Sequence, residues 1–210
     1  MSRNKGFTLI ELIIVIALIA ILATTVILVI NPVKIFQEAR DSQRIADLGQ
    51  MNSALSLYAS TASTSSLGTT NSCYVYVGSG VNSAAVTTAL NTGGTCQLRY
   101  TAVVNTLVTS SAQTASSTTS WVPVNLSLVS GGQPLSAWPV DPKAGTSGSF
   151  TTATSTAFYY SYTPNNANST WELNAHMEST RYQNGGGDDV ETTDGGDKPF
   201  LLEIGTAVNL

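Results

Sequence analysis

At 210 residues, 42% hydrophobic and only 10% charged, the chain is sized for an anchoring segment plus one globular domain of modest size. Its net charge of −4, with no basic cluster, argues against nucleic acid as the main partner. A single histidine, no G-x-S-x-G among many serines, and neither HExxH nor a P-loop leave no nucleophile–base set, so no enzyme is expected.

The chain opens with Met-Ser-Arg-Asn-Lys-Gly, a short basic leader, and then runs apolar from Phe7 to Ile30. Those 24 residues hold one ionisable side chain, Glu11. As a helix they extend about 36 Å at about 1.5 Å per residue, enough to cross a hydrocarbon core of about 30 Å. The run is too long for the apolar part of an ordinary secretory signal, and no Ala-x-Ala pattern follows it. A membrane anchor in contact with lipid is the expectation. An acidic side chain at the centre of such a helix costs about 2.5–3.5 kcal/mol on insertion scales. Glu11 lies one turn inside, so it either snorkels toward the headgroups or has a function.

Lys5, Gly6, Phe7, Thr8, Leu9, Ile10, Glu11, Leu12 and Ile13, followed by the unbroken Ile/Val/Leu/Ala run, resemble the start of the type IV prepilins and the pseudopilins of type II secretion. The resemblance implies that a prepilin peptidase cuts the Gly6–Phe7 bond and methylates the new terminus. It implies a pilin-like fold, a homo-oligomeric filament and an inner-membrane assembly platform. It also places the leader in the cytoplasm and the carboxy-terminal domain outside. Loss of Arg3 and Lys5 with the leader would take the net charge from −4 to −6. The freed Phe7 amine would be cationic near neutral pH. In staggered helices Glu11 of one subunit can then meet Phe7 of a neighbour, which rewards correct docking.

Asn31-Pro32 ends the apolar segment, because proline inside a helix removes a hydrogen bond and breaks the rod. Pilins often carry a proline a few residues earlier, where this chain has Leu28, so the break is displaced. An amphipathic helix follows, from Val33 to about Ser60, with Ile45, Leu48, Met51, Leu55 and Tyr58 at spacings of three and four. Its opposite face carries Arg40, Asp41, Arg44 and Asp47. That charged group reads equally as a solvated face and as a subunit contact.

Beyond residue 60 the expected strands are Cys73–Val77, Leu98–Val104, Phe158–Tyr162, Trp171–Ala175 and Phe200–Ile204, rich in β-branched and aromatic residues. Thr163–Ser169 reads as a hairpin loop, and Val81–Leu90 as a short helix or a loop. The helix packed across a small antiparallel sheet gives an α+β domain. The expected organisation is leader 1–6, membrane and assembly helix 7–30, amphipathic half 31–60 and a β-rich domain 61–210. Only Arg99 is charged between Asp47 and Asp141, so Ser, Thr, Asn and Gly make up that surface or form disordered or glycosylated tracts.

Cys73 and Cys96 are the only cysteines. Outside the cytoplasm they read as a disulfide, worth about 3 kcal/mol on the chain-entropy estimate. Two buried free thiols are the alternative, and a metal site with His176 has little support. Trp138-Pro139-Val140-Asp141-Pro142 is a rigid turn; it resembles the Pro-Asp-Pro turn of major pseudopilins. Those proteins bind calcium in a carboxy-terminal loop. The resemblance makes Asp188, Asp189, Asp194 and Asp197 calcium candidates, against the reading of a solvated acidic loop. The function expected is a structural filament subunit, of a type IV pilus-like fibre or a type II secretion pseudopilus. The alternative is a membrane-tethered binding domain that never polymerises.

Overall fold

A computed structural model describes residues 6–62, 66–78, 99–100, 106–144 and 158–210, without the side chains of 28–30. The chain falls into two compact units, 1–37 and 38–210.

The first unit is helical. Helix α1, Leu9–Ile30, starts at Thr8, whose extended backbone and side-chain oxygen form an N-cap. Its stretch Leu9–Ile27 is long and apolar enough to cross a membrane, and none of it is buried within the chain. The helix stops at Asn31, which sits in the left-handed region at φ 43°. Asparagine tolerates that conformation better than most residues. Pro32 then opens helix α2, Pro32–Thr61, at a position where its missing N–H costs nothing. The break falls where the sequence placed it.

From Glu38 onward α2 belongs to the second unit, where Leu48, Met51, Ala54, Leu55 and Tyr58 are buried. They join a core with Trp121, Val122, Val124, Leu126 and Trp138 from the loops and Tyr162, Trp171 and Leu173 from the sheet. The sheet comprises β1 (Ser72–Tyr76), β2 (Thr106–Ser110), β3 (Ser161–Asn165), β4 (Thr170–Ala175) and β5 (Leu202–Gly205), in the order β2-β1-β3-β4-β5. This is the expected α+β, pilin-like architecture of helix on sheet.

Strand alternation divides the sheet's side chains. Tyr74 pairs with Tyr162 and Tyr162 with Leu173, giving a row that faces the core. Ser161 pairs with Asn174 and Asn174 with Glu203, giving a polar row on the other face. Two side chains, one in β4 and one just before β3, fasten α2 to the sheet side of the domain. Trp171 Nε1 donates to Asn52 Oδ1 at 3.0 Å, and Tyr160 Oη donates to Asp47 Oδ2 at 2.9 Å.

Several expectations need correction. The sheet is not wholly antiparallel, because β1 and β2 run parallel. Parallel neighbours cannot be joined by a tight hairpin, and the chain between Tyr76 and Thr106 is long enough to cross over. β3 starts three residues later than expected and β5 two later. Most of Leu98–Val104 lies outside the described residues, as does Val81–Leu90; the described pair Arg99–Tyr100 is not in a strand. On the charged face of α2, Asp41 and Arg44 are buried while Arg40 and Asp47 are half-buried, so neither a solvated face nor a subunit contact describes the first two, as the next section details.

Candidate assembly site

At the amino-terminal end, Phe7 is 86% exposed and nothing lies within 4 Å of where a Cβ on Gly6 would stand. Glu11 is held by its own helix start. Thr8 Oγ1 accepts from the Glu11 N–H at 3.3 Å, and Glu11 Oε2 accepts from the Thr8 N–H at 3.3 Å and from Thr8 Oγ1 at 3.2 Å. This reciprocal pairing is a capping box, and it satisfies helix-end donors that apolar surroundings would leave unpaired. The signal was in plain view: Thr8-Leu9-Ile10-Glu11 has the T-x-x-E spacing. Thr8 is therefore the residue at this end whose capping role the spacing alone could disclose. Glu11 thus already has a partner within its own chain, before any neighbour is considered.

The second cluster joins α2 to the carboxy-terminal half. Arg44 is fully buried and donates from Nε and Nη2 to the two oxygens of Asp141, at 2.7 and 3.0 Å. Its Nη1 donates to Asp41 Oδ1 at 2.7 Å, one helical turn away. Asp41 also accepts the backbone N–H groups of Glu178 and Ser179 at 2.8 and 2.7 Å. Glu178 in turn receives Arg40 and Lys143, at 2.7, 2.6 and 2.6 Å. Burial opposes ionisation of Glu178, but the hydrogen bonds and charges of Arg40 and Lys143 outweigh it and hold the carboxyl at about 2. Burial likewise disfavours the Arg44 cation, and the Asp141 and Asp41 carboxylates more than compensate. Asp41 and Arg44 are therefore internal fasteners, and neither is free to face solvent or a neighbouring subunit. The Asp141 side chain is further fixed by the Lys143 N–H, which donates to its Oδ1 at 2.8 Å within the proline-bounded turn.

The acidic loop disperses its carboxylates. Asp188 Oδ2 takes Arg181 Nε at 2.6 Å, and Asp197 Oδ2 takes Lys198 Nζ at 2.8 Å. Asp189 accepts from the Gly185, Glu191 and Thr192 N–H groups and from the Thr192 hydroxyl, which draws its carboxyl below the usual range. Asp194 accepts from Gly196 N–H at 2.9 Å and Glu203 N–H at 2.6 Å. Each calcium candidate thus closes a local turn or ion pair, and no group of three or more carboxylate, His or Cys side chains among the described residues is placed to hold a metal. His176 Nδ1 lies 2.8 Å from the Phe200 carbonyl and 3.1 Å from Glu191 Oε1.

A further pair, Glu172 and Glu203, sits buried on the polar face of the sheet. Burial pushes both carboxyls up; the charges of Glu203 and Asp197 add to this at Glu172, and those of Asp197 and Asp194 add to it at Glu203, where the hydrogen bond with Glu172 works the other way. Sequence reading gave no hint of it, because burial of the second sheet face is not written in alternation alone. Cys73 is fully buried in β1; Cys96 lies outside the described residues.

Comparison with curated proteins and with solved structures finds no match to this chain. Comparison with family models finds one described as the prokaryotic N-terminal methylation motif, covering residues 1–27. That span contains Gly6, Phe7, Thr8 and Glu11 and all but the last turn of α1, so the chain carries the prepilin-type cleavage and methylation motif.

Proposed function

We propose that this protein is a structural subunit of a type IV pilus-like or type II secretion pseudopilus filament. It is processed by a prepilin peptidase between Gly6 and Phe7 and assembled through its amino-terminal helix. The observation that carries the reading is the methylation motif over residues 1–27, running directly into an apolar helix whose one carboxylate is Glu11. Two local facts support it. Gly6 stands in open space, with no atom within 4 Å of where a Cβ would lie, which leaves the bond beside it accessible. Phe7 stands exposed at the scissile bond.

In this reading α1 is held in the cytoplasmic membrane with the β-rich domain outside, until an assembly platform extracts it into the fibre. Glu11 exchanges its own Thr8 for the Phe7 amine of a neighbouring copy, a charged partner in place of a neutral one. A Cys73–Cys96 bridge belongs to the same extracytoplasmic picture, and no free cysteine occurs among the described residues.

Mass spectrometry of the mature amino terminus is the test. A methylated Phe7 terminus, together with sheared filaments built from this chain, is the expected result. An intact Met1 with no polymer would replace this reading with a membrane-tethered domain that binds ligands singly.

A further inference from the structure

Asn184 and Gly185 make the chain's one Asn-Gly pair, and both stand exposed in the acidic loop. The Gly186 N–H donates to the Gln183 carbonyl oxygen at 2.8 Å, closing a turn with Asn184 and Gly185 at its centre. Gly185 takes φ 80°, the left-handed value that a type II turn asks of its third residue. The Asn184 N–H is held by Glu191 Oε2 at 3.1 Å, but the side-chain amide of Asn184 makes no hydrogen bond among the described residues. No atom lies within 4 Å of where a Cβ on Gly185 would stand, so that amide has room to swing over the Gly185 nitrogen.

The nitrogen already has a proton acceptor in place. Its N–H donates to Asp189 Oδ2 at 2.8 Å. Asp189 is fixed by the Thr192 hydroxyl at 2.6 Å on Oδ2, and by the Glu191 and Thr192 N–H groups at 3.0 Å on Oδ1. Such hydrogen bonds, that of the Thr192 hydroxyl foremost, draw its carboxyl below the usual range, so it is ionised across neutral pH. Its charged neighbours, Asp188 on Arg181 and Glu191 beside His176, have partners of their own. A carboxylate at this distance can take the proton that the amide must lose before its nitrogen attacks.

We propose that Asn184 is a self-modifying site, at which the Gly185 nitrogen displaces the Asn184 side-chain nitrogen with Asp189 as the base. Asp189 receives the Gly185 proton as that nitrogen bonds to Asn184 Cγ and closes a succinimide ring. The Cγ–Nδ2 bond breaks, and the proton departs with Nδ2 as ammonia. Water then opens the ring, at Cγ to give aspartate or at the backbone carbonyl to give isoaspartate. One water is consumed and one ammonia released, with no oxidant or partner. Both products place a new negative charge beside Asp188 and Asp189, and isoaspartate also lengthens the main chain by one carbon. The change is one-way, so the converted fraction records the age of each molecule, polymerised or not. Asp194-Gly195 could close the same ring, but the Gly196 N–H holds Asp194 Oδ1 at 2.9 Å and the Glu203 N–H holds Oδ2 at 2.6 Å. That pair is the internal control.

The test uses the purified full chain in detergent, held at physiological temperature in water enriched in heavy oxygen and then digested for mass spectrometry. The peptide containing residue 184 is expected to gain one heavy oxygen and to separate into aspartate and isoaspartate forms, while the peptide containing Asp194 stays unlabelled. The wild-type rate is expected to stay level from about pH 5 to about pH 7, because Asp189 is ionised throughout. Asp189→Asn is expected to slow the reaction at least tenfold at about pH 6 and to make it rise about tenfold per pH unit, hydroxide then being the base. Asn184→Gln, whose longer side chain closes its ring slowly, is expected to stay unlabelled. An Asn184 that survives intact while a free peptide of residues 180–190 converts overturns the inference. So does a wild-type rate that climbs about tenfold per pH unit, a readout that depends on no variant folding.

Discussion

Arg44 and Asp141 form a bidentate ion pair at 2.7 and 3.0 Å, fully buried, across 97 residues of sequence. The contact ties the charged turns of α2 to the proline-bounded turn that precedes β3. Removing one partner of such a pair leaves a buried charge unsatisfied and costs about 3–5 kcal/mol. Asp141→Ala is therefore expected to lower the stability of the 38–210 unit by that amount, read as a fall in the urea midpoint. Arg44→Met with Asp141→Leu is expected to lose less than Asp141→Ala alone, because no charge is then stranded. A double variant as unstable as the single one would show that the pair is irreplaceable.

The pH dependence has two edges. The Glu178 carboxyl is held at about 2, below its ordinary 4.5, so it contributes stability above pH 4.5 that is lost as the pH falls toward 2. Glu172 and Glu203 are raised, so the folded protein retains protons that the unfolded chain has released. Their contribution is full below the ordinary glutamate value and fades as the pH climbs through the raised range. Melting temperature measured from pH 2 to pH 10 is expected to fall at both ends. Glu172→Gln is expected to flatten the alkaline side and leave the acid side unchanged. An unaltered alkaline limb in that variant would rule out the buried pair as its cause.

What the sequence disclosed and what it withheld divide along a physical line. The α2 stripe Leu48, Met51, Leu55 and Tyr58 was legible because helical periodicity is local, and all four are buried. Strand β4 was legible for the same reason, and differs from its expected bounds by one residue. β2 was not, since Thr106-Leu-Val-Thr-Ser is polar, half-exposed and lies at the sheet's edge. Asp41 and Arg44 read equally as solvated charges and as a subunit contact because their partners, Glu178 and Asp141, lie 137 and 97 residues on, where no spacing rule reaches. The amino-terminal motif was the most legible part of the chain, being contiguous, and its T-x-x-E spacing also carried the signal for the hydrogen bonds between Thr8 and Glu11.

Those hydrogen bonds allow the two roles of Glu11 to be separated. Glutamine at the third helical position still completes a capping box, whereas alanine does not. Glu11→Gln keeps the cap at Thr8 and discards the charge. If the charge pairs with the Phe7 amine of a neighbour, Glu11→Gln and Glu11→Ala are both expected to insert in the membrane and to reduce filaments to a similar low level. Filament yield from sheared cells, normalised to membrane-extracted subunit, is the measurement. Wild-type filaments from Glu11→Gln would assign the residue to helix capping alone.

Two glycines are expected to answer substitution in opposite directions. Gly205, in β5, has its α-carbon against β4, and a Cβ there would overlap the Trp171 carbonyl oxygen, a backbone atom that cannot turn aside. Gly205→Ala must push β4 and β5 apart and is expected to cost about 1–3 kcal/mol, within the range for overpacking. Gly49→Ala meets open space and removes the penalty of a helix-interior glycine, so it is expected to raise stability by up to about 1 kcal/mol. Chemical denaturation of the two variants beside wild type measures both. A destabilised Gly49→Ala would mean that this face of α2 has a contact within its own chain.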